Sequence, residues 1–507
     1  MLRISNGGII LTYKDGADLT EYINSIYDVE NWKVGDIQIW PIIRVPLLAQ
    51  LILGDSSLKV QQVKAPAKIF RLIRTLKNAL ESTIIQMYNI YKGIERHEDV
   101  VLLGFHQYRN LRLDDGRFYN VHLDPIVDVA SKHKWRVKIF ERRVFLGKEN
   151  YKLPPYSSSI LMTIPWIITL IIAKVKTKFD KSCLPEEYDI FCDDMKKRGI
   201  MQNYLPSKKS IIFSVNCVKI AKEIFKRMID KKCKIAVLVD GESLITQAFI
   251  LACRDLNIPT AELQHGIIDE THIAFAKWKC NNGYYNMPDY YLCWDKKSAN
   301  VIENWAKDSE LHKVLIAGNL WHALVHENAN LIINKAMKGI IKIIKTKPKC
   351  VLISEQVGLK LPEFIFDTID SSEEYFFVIR RHPSSHPKEV TYIKEFCAER
   401  SNAFYDAGEN LPVIFWYNYI DVHITLFSSV IRECAWWGIP SVSVDVEDIY
   451  GCKQMYKKEY ESGYLHAAKN KKALDHLLHV LVKRTDTNIS AVADFENAIR
   501  TVFNSKV

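Results

Sequence analysis

KIAVLVDGESLITQAFILACRDLNIPTAELQHG, residues 234–266, contains three consecutive signals. Lys234–Val239 is an apolar run of strand length, rich in β-branched residues. Ser243 to Asn257 carries apolar residues at helical spacing behind a serine suited to an N-cap. Ile258–Leu263 is a second apolar run, and it stops at Gln264-His265-Gly266. Strand, helix, strand with short connections is the unit of a parallel α/β sheet.

The same rhythm extends in both directions. Upstream, Asp99–Gly104 reads as a strand, LDPIVDVASKHK as a helix and WRVKIFE as the next strand. Downstream, Pro288–Cys293 and Lys313–Gly318 read as strands. A second set begins at Cys350–Ser354 and continues through Tyr375–Ile379, Asp421–Thr425 and Pro440–Asp445. The expected fold is α/β, with two Rossmann-like domains facing a cleft and additional N-terminal helical segments. The expected boundaries are 1–325 for a first Rossmann-like domain, with helical insertions near 50–95 and 155–230, and 326–485 for a second. Residues 486–507 form a terminal helix that can cross back to the first domain.

Composition bounds the class. The chain has 507 residues, 48% hydrophobic and 25% charged, the balance of a folded globular protein. Eleven cysteines are scattered singly between Cys183 and Cys452 with no C-x-x-C pair, which argues for reduced thiols and against a disulfide framework or a zinc site. No secretory signal is expected at the N-terminus, and the cytoplasm is the expected compartment. Ile160–Ala173 (ILMTIPWIITLIIA) is too short to span a bilayer, which needs about 20 residues. A buried core segment is the expectation there, with a shallow dip into a membrane surface as the alternative.

Net charge is +10. Residues 59–77 carry Lys59, Lys64, Lys68, Arg71, Arg74 and Lys77 without an acid, among interleaved apolar residues. Such a stretch suits either an anionic membrane surface or plain solvent. No helix-turn-helix, zinc finger or aromatic RNA-binding motif accompanies the charge, so nucleic acid is not an expected partner. Neither G-x-G-x-x-G nor a P-loop is present, which excludes the usual dinucleotide and ATP signatures.

Ligands of open parallel sheets bind beyond the carboxyl ends of the strands, so the residues just after each strand are the candidates. His265 can serve as a general base near neutral pH; its neighbours Gln264 and Gly266 are candidate ligand contacts, and Gly266 suits a sharp turn. Arg380, Arg381 and His382 follow a strand and form a candidate anion site. His386 lies four residues beyond His382, but Pro383 and Pro387 oppose the helix that a metal pair would need. Ser428 and Ser429 open a helix, where free N–H groups favour a phosphate. Glu433, one turn later, can accept from ribose hydroxyls. The acidic candidates for the base are Asp114, Asp115, Asp124, Asp240 and Glu242, and most of these positions also read as ordinary turns. Asp445-Val446-Glu447-Asp448 is a weak metal-like cluster, and no metal is expected.

Taken in order, QHG at 264–266, RRHP at 380–383, and FSS at 427–429 followed by Glu433 and GIP at 438–440 resemble a broad group of GT-B glycosyltransferases. These build bacterial capsule, lipopolysaccharide and teichoic acid. They include sialyl- and polysialyltransferases, Kdo transferases of capsule export and CDP-glycerol glycerophosphotransferases. The resemblance covers roughly residues 230–460. It implies that His382, Ser428 and Ser429 hold the phosphates of a nucleotide donor. Asp114-Asp115-Gly116 is similar to the acidic-acidic-Gly motif that carries the base in sialyltransferases. His265 is similar to the histidine of the glycerophosphotransferases, with Gln264 where those carry Trp. The implied activity is inverting, metal-independent transfer from a CMP- or UDP-linked sugar to a glycan acceptor, lipid-linked, in capsule or O-antigen synthesis. No cofactor beyond the donor is implied, and peripheral association with the inner membrane face accompanies the lipid-linked acceptor. Two alternatives stand beside it: a nucleotide-sugar 2-epimerase and a non-catalytic membrane-associated partner.

Overall fold

The computed structural model describes residues 3–5, 8–53, 97–113, 115–142, 152–156, 159–201, 203–328, 335–356, 359–382, 385, 390–408, 411–445, 452–485 and 487–504. Asp114, the basic stretch 59–77, Pro383, His386 and residues 446–448 lie outside them.

The chain divides into two compact units. The first draws on residues 1–109, 120–320 and 492–507, the second on residues 110–119 and 321–491. The first is built on seven strands: β1 (Val100–Phe105), β2 (Val137–Arg142), β3 (Ser159–Leu161), β4 (Ile235–Leu238), β5 (Thr260–Leu263), β6 (Tyr290–Cys293) and β7 (Lys313–Ile316). They lie side by side as β7-β6-β5-β4-β1-β2-β3, and every pairing is parallel. Val237 sits opposite Leu102 and Ala261. The central strands are apolar on both faces because helices cover both, and every residue of β1, β4 and β5 is buried.

The second unit repeats the plan with six strands: β8 (Lys349–Ser354), β9 (Tyr375–Arg380), β10 (Ala403–Asp406), β11 (Val422–Thr425), β12 (Ser441–Ser443) and β13 (Leu465–Ala467). Their order is β10-β9-β8-β11-β12-β13, again all parallel. Numbered within each sheet, the second follows 3-2-1-4-5-6, the Rossmann order, and the first follows the same order with a seventh strand added beside the sixth. His423 ties three neighbouring strands here, with Nε2 on Ser354 Oγ and Nδ1 on Ser441 Oγ, each at 3.0 Å. Burial lowers its pKa to about 3, so the ring is neutral.

Seven helices matter below: α1 (Trp40–Leu53), α2 (Thr163–Phe179), α3 (Lys208–Met228), α4 (Leu244–Asp255), α5 (Lys296–Ala306), α6 (Val430–Trp436) and α7 (Val492–Asn504). In the first unit α2 packs on α3 and α3 on α4. The segment 160–173 meets its expected role only in part. It forms the end of β3 and then α2; Leu161, Met162, Trp166 and Ala173 are buried in the core, whereas Ile168, Ile171 and Ile172 are exposed. The apolar run is real, but its burial is set by which side of the helix meets α3. Among the described residues no helix is long and apolar enough to cross a membrane.

Candidate functional site

In a sheet of 3-2-1-4-5-6 order the connections leave strands 1 and 4 in opposite directions, and a crevice opens between their carboxyl ends. In the first unit that switch point lies between β1 and β4. The chain leaves β4 through Val239, whose N–H donates to Leu103 O at 3.1 Å. Asp240 then takes a left-handed conformation (φ 65°), which among non-glycine residues Asp and Asn tolerate best. Gly241 follows, and its N–H donates to Glu262 Oε1 on the neighbouring β5 at 2.9 Å. A Cβ at Gly241 would stand 2.5 Å from Glu262 Oε2, so a side chain there would have to push the Glu262 carboxyl group aside. Ser243 then caps α4.

This turn gathers acids. Burial pushes Glu262 up to about 8, with the nearby Asp240 adding to the rise and the Gly241 N–H opposing it. Glu242 is also driven well above the carboxylate range, first by burial, then by its hydrogen bond to Asp240 and the charges of Asp240 and Glu262. Both glutamates therefore carry protons at neutral pH.

His265, just past β5, completes the cluster. Its Nδ1 is sealed from solvent and has no hydrogen-bond partner among the described residues. Burial lowers its pKa, while Asp240 and the Leu263 carbonyl pull the other way, so the ring is a neutral base with Asp240 nearby. His122 lies edge-on to it, ring centroids 6.3 Å apart, and in turn against Tyr108 at 4.7 Å. Burial holds His122 neutral, its pKa lowered to about 3. The cluster thus contains neutral imidazoles, protonated carboxyls and one acid that can receive hydrogen bonds, a set able to pass a proton in either direction.

The flanks of His265 are structural. Gln264 is buried; its Nε2 donates to Gly266 O at 2.8 Å and Ser298 Oγ at 3.1 Å, and its Oε1 accepts from Trp294 N at 2.7 Å. With every polar atom engaged inside the unit, Gln264 braces the loop instead of meeting a donor. Gly266 is not required by sterics, since a Cβ there would meet nothing within 4 Å. Asp115 is an exposed turn residue whose carboxylate is held by Arg117, Nε to Oδ2 at 2.6 Å and Arg117 N to Oδ1 at 3.0 Å. Those bonds lower its pKa, the wrong direction for a base working near pH 7.

In the second unit the switch point lies between β8 and β11. Glu355 follows β8, and its Oε2 accepts from His382 N at 2.8 Å, while both its oxygens receive Ser385 Oγ. This buried carboxylate ties the ends of β8 and β9 together and sets the path of His382. The two arginines before it differ from expectation. Arg380 is buried in an ion pair with Asp406 and also donates to Leu411 O at 2.7 Å. Arg381 is buried too, donating to Ala407 O and Ser385 O at 2.8 Å each. Both guanidiniums are engaged by the protein itself, because the strand carries them inward where a charge without a partner is costly.

Beyond β11, Ser428 Oγ accepts from Val430 N at 3.3 Å, a local cap, whereas Ser429 is exposed and its side chain makes no cap bond. Glu433 on α6 accepts from Tyr417 OH at 2.8 Å and lies 3.7 Å from His322 Nε2. His322 Nδ1 accepts a hydrogen bond from Trp437 Nε1–H at 3.1 Å, which places its own proton on Nε2, facing Glu433. Burial raises Glu433 and lowers His322 to about 3. Among the described residues no group of three or more His, Cys, Asp or Glu is arranged to hold a metal ion.

Sequence reading overlooked Glu262, His122 and Glu355. Glu262 did leave a signal, a lone acid inside the apolar strand IPTAEL. Glu355 stands one residue past CVLIS, the post-strand position used for the other candidates. His122 sits in a loop with nothing local to mark it.

Fold and sites together define an α/β chain of two Rossmann-like units, each with polar residues collected at its switch point. No protein-family model matches the sequence, and no curated protein matches it. Among solved structures, the chain is similar to UDP-GlcNAc 2-epimerases from Neisseria meningitidis and Methanocaldococcus jannaschii. Each is 12% identical with a TM-score of 0.46, covering 80% of this chain and 99% of the other. It is also similar to the wall teichoic acid polymerase TagF, at 10% identity and a TM-score of 0.42, over 88% of this chain and 93% of that one. Likeness at this level assigns no activity.

Proposed function

We propose that this protein is an inverting glycosyltransferase that uses a nucleotide-activated sugar, CMP- or UDP-linked, and a glycan acceptor. The observation that carries the reading is the buried acid–base cluster of Asp240, Glu242, Glu262 and His265 at the switch point of the first unit. Neutral His265 accepts the proton of the acceptor hydroxyl as that oxygen bonds to the anomeric carbon. The bond from that carbon to the phosphate oxygen breaks, and the electron pair leaves with the nucleotide. Asp240 stabilises the imidazolium formed. In the second unit His382, Ser428 and Ser429 are the proposed phosphate contacts and Glu433 the ribose contact. Stabilising the departing phosphate is the largest electrostatic requirement of such a step. The reaction is proposed to run without a metal, so chelation with EDTA should leave the rate unchanged. A role in capsule or O-antigen assembly, on a lipid-linked acceptor, belongs to the same proposal.

The first experiment is a thermal-shift panel of CMP, CDP, UDP and GDP, since a ligand at a hundredfold excess over Kd adds about 2.7 kcal/mol. One nucleotide should raise the melting temperature; a flat response to all four refutes the reading. With the donor so identified, His265→Ala is expected to lower kcat by about 10²-fold or more, the range for losing a general base. Near-wild-type turnover would remove His265 from the mechanism. A nucleotide-sugar 2-epimerase is the second reading. It is favoured by the three carboxyl groups in one cluster, since epimerisation requires proton removal and return at a single carbon. NMR of donor incubated alone separates the two: an epimer forms without acceptor only in the second case.

A further inference from the structure

Helix α2 is amphipathic in the inverted sense. The side it buries is Thr163, Trp166, Thr169 and Ala173. The side it exposes is Ile168, Ile171, Ile172, Val175 and Phe179, between 45% and 78% open to solvent. These five fall at i, i+3, i+4, i+7 and i+11, one stripe about 100° wide along the helix. Thr169 and Thr177 on the inward side satisfy their hydroxyls on Pro165 O and Ala173 O at 2.8 and 2.7 Å, so both threonines face protein while the isoleucine stripe faces out. An exposed stripe of this size on a helix marks a surface that is covered in use.

The flanks say what covers it. At 3.6 residues per turn, Lys174 and Lys178 border the stripe on one side and Lys176 on the other, and all three are exposed. The helix holds no acidic residue. Asp180, just beyond it, is held by the chain itself, its carboxylate accepting from Asn216 Nδ2 and Ser182 N at 2.9 Å each. Among the described residues Lys174 and Lys178 form no ion pair, while Lys176 acts on the Asp180 carboxylate. Apolar side chains rimmed by lysines whose stems can lie along them are the pattern of a helix resting in the headgroup region of an anionic bilayer.

We propose that α2 docks the protein on an anionic lipid surface, lying in the interface and not across it. The inference is independent of the transferase reading and uses none of its residues. Full-length protein is sedimented with phosphatidylcholine vesicles with and without phosphatidylglycerol, at low and high salt. Binding to the phosphatidylglycerol vesicles, weakened by salt, is expected. Ile171→Asp combined with Phe179→Asp should lower the partition coefficient by about tenfold or more. Lys174→Glu with Lys178→Glu should remove the preference for anionic vesicles. The melting temperature of the first double variant should equal that of wild type, and both should have the same mass in light scattering. Four results overturn the proposal: no sedimentation of wild type with anionic vesicles, unchanged partition of the first double variant, a lowered melting temperature in it, or a wild-type oligomer that it dissociates. A lowered melting temperature would mean that the chain itself covers the stripe, and a dissociated oligomer that a second copy does.

Discussion

Glu262 is a carboxyl group placed inside a parallel sheet, and its titration gives the site a measurable signature. Its ordinary pKa is near 4.5 and the fold raises it to about 8. Between those values the folded protein holds a proton that the unfolded chain has released, so this group removes stability as pH rises through that window. Glu262→Gln has nothing to titrate and keeps the oxygen that receives the Gly241 N–H. The stability difference, variant minus wild type, should therefore grow from pH 5 to pH 8.5, at up to about 1.4 kcal/mol per pH unit. Urea unfolding at several pH values measures it, and a pH-independent difference would mean that Glu262 is not protonated in the fold. A residue's identity alone does not reveal this behaviour. The arginines 380 and 381 illustrate the same point. As a pair after a strand they read as an anion site, but pairing with Asp406 and with backbone carbonyls buries them.

Two glycines follow two adjacent strands of the first sheet, and they play different parts. Gly241 begins the connection from β4 to α4, with the Glu262 carboxylate where a Cβ would go. Gly266 follows β5 in open space. Gly241→Ala should displace the Glu262 carboxylate, break its hydrogen bond and destabilise the first unit by roughly 1–3 kcal/mol. Gly266→Ala should change stability by less than about 0.5 kcal/mol. Comparing their urea midpoints checks both, and equal effects would refute the distinction. From sequence the reverse assignment was natural, since Gly266 stands beside the candidate histidine. Strand and helix positions, by contrast, were readable in most of the chain, because β-branched runs and 3.6-residue periodicity are local properties. The strands β3, β10 and β13 escaped: each lies at the edge of its sheet, is incompletely buried, and is recognisable mainly by its pairing.

Taken whole, the chain returns to its first unit at the end. Helix α7 belongs to that unit and buries Phe495, Ile499 and Val502. Its Phe503 ring lies 4.7 Å from Trp135, and Glu496 reaches His133 at 3.3 Å. Each of the three buried side chains contributes about 1.5–3 kcal/mol. Removing residues 492–507 should make the first unit sensitive to limited proteolysis while the second keeps its wild-type resistance, as followed by mass spectrometry of the fragments. Equal sensitivity of both units would show that α7 stabilises them alike.

By itself the sequence determined that this is an α/β chain with two sets of alternating strands and helices, and which loops follow the strands. Those features depend on patterning within a few residues. Tertiary structure decided the rest: that both sheets take the Rossmann order, that Glu262 and Asp240 meet beside His265, that Gln264 and both arginines turn inward, and that α2 shows its apolar side to solvent. Each of these depends on groups separated along the chain and joined by strand pairing or helix packing. Burial and neighbouring charge, which set a proton's affinity and a side chain's role, exist only after that joining.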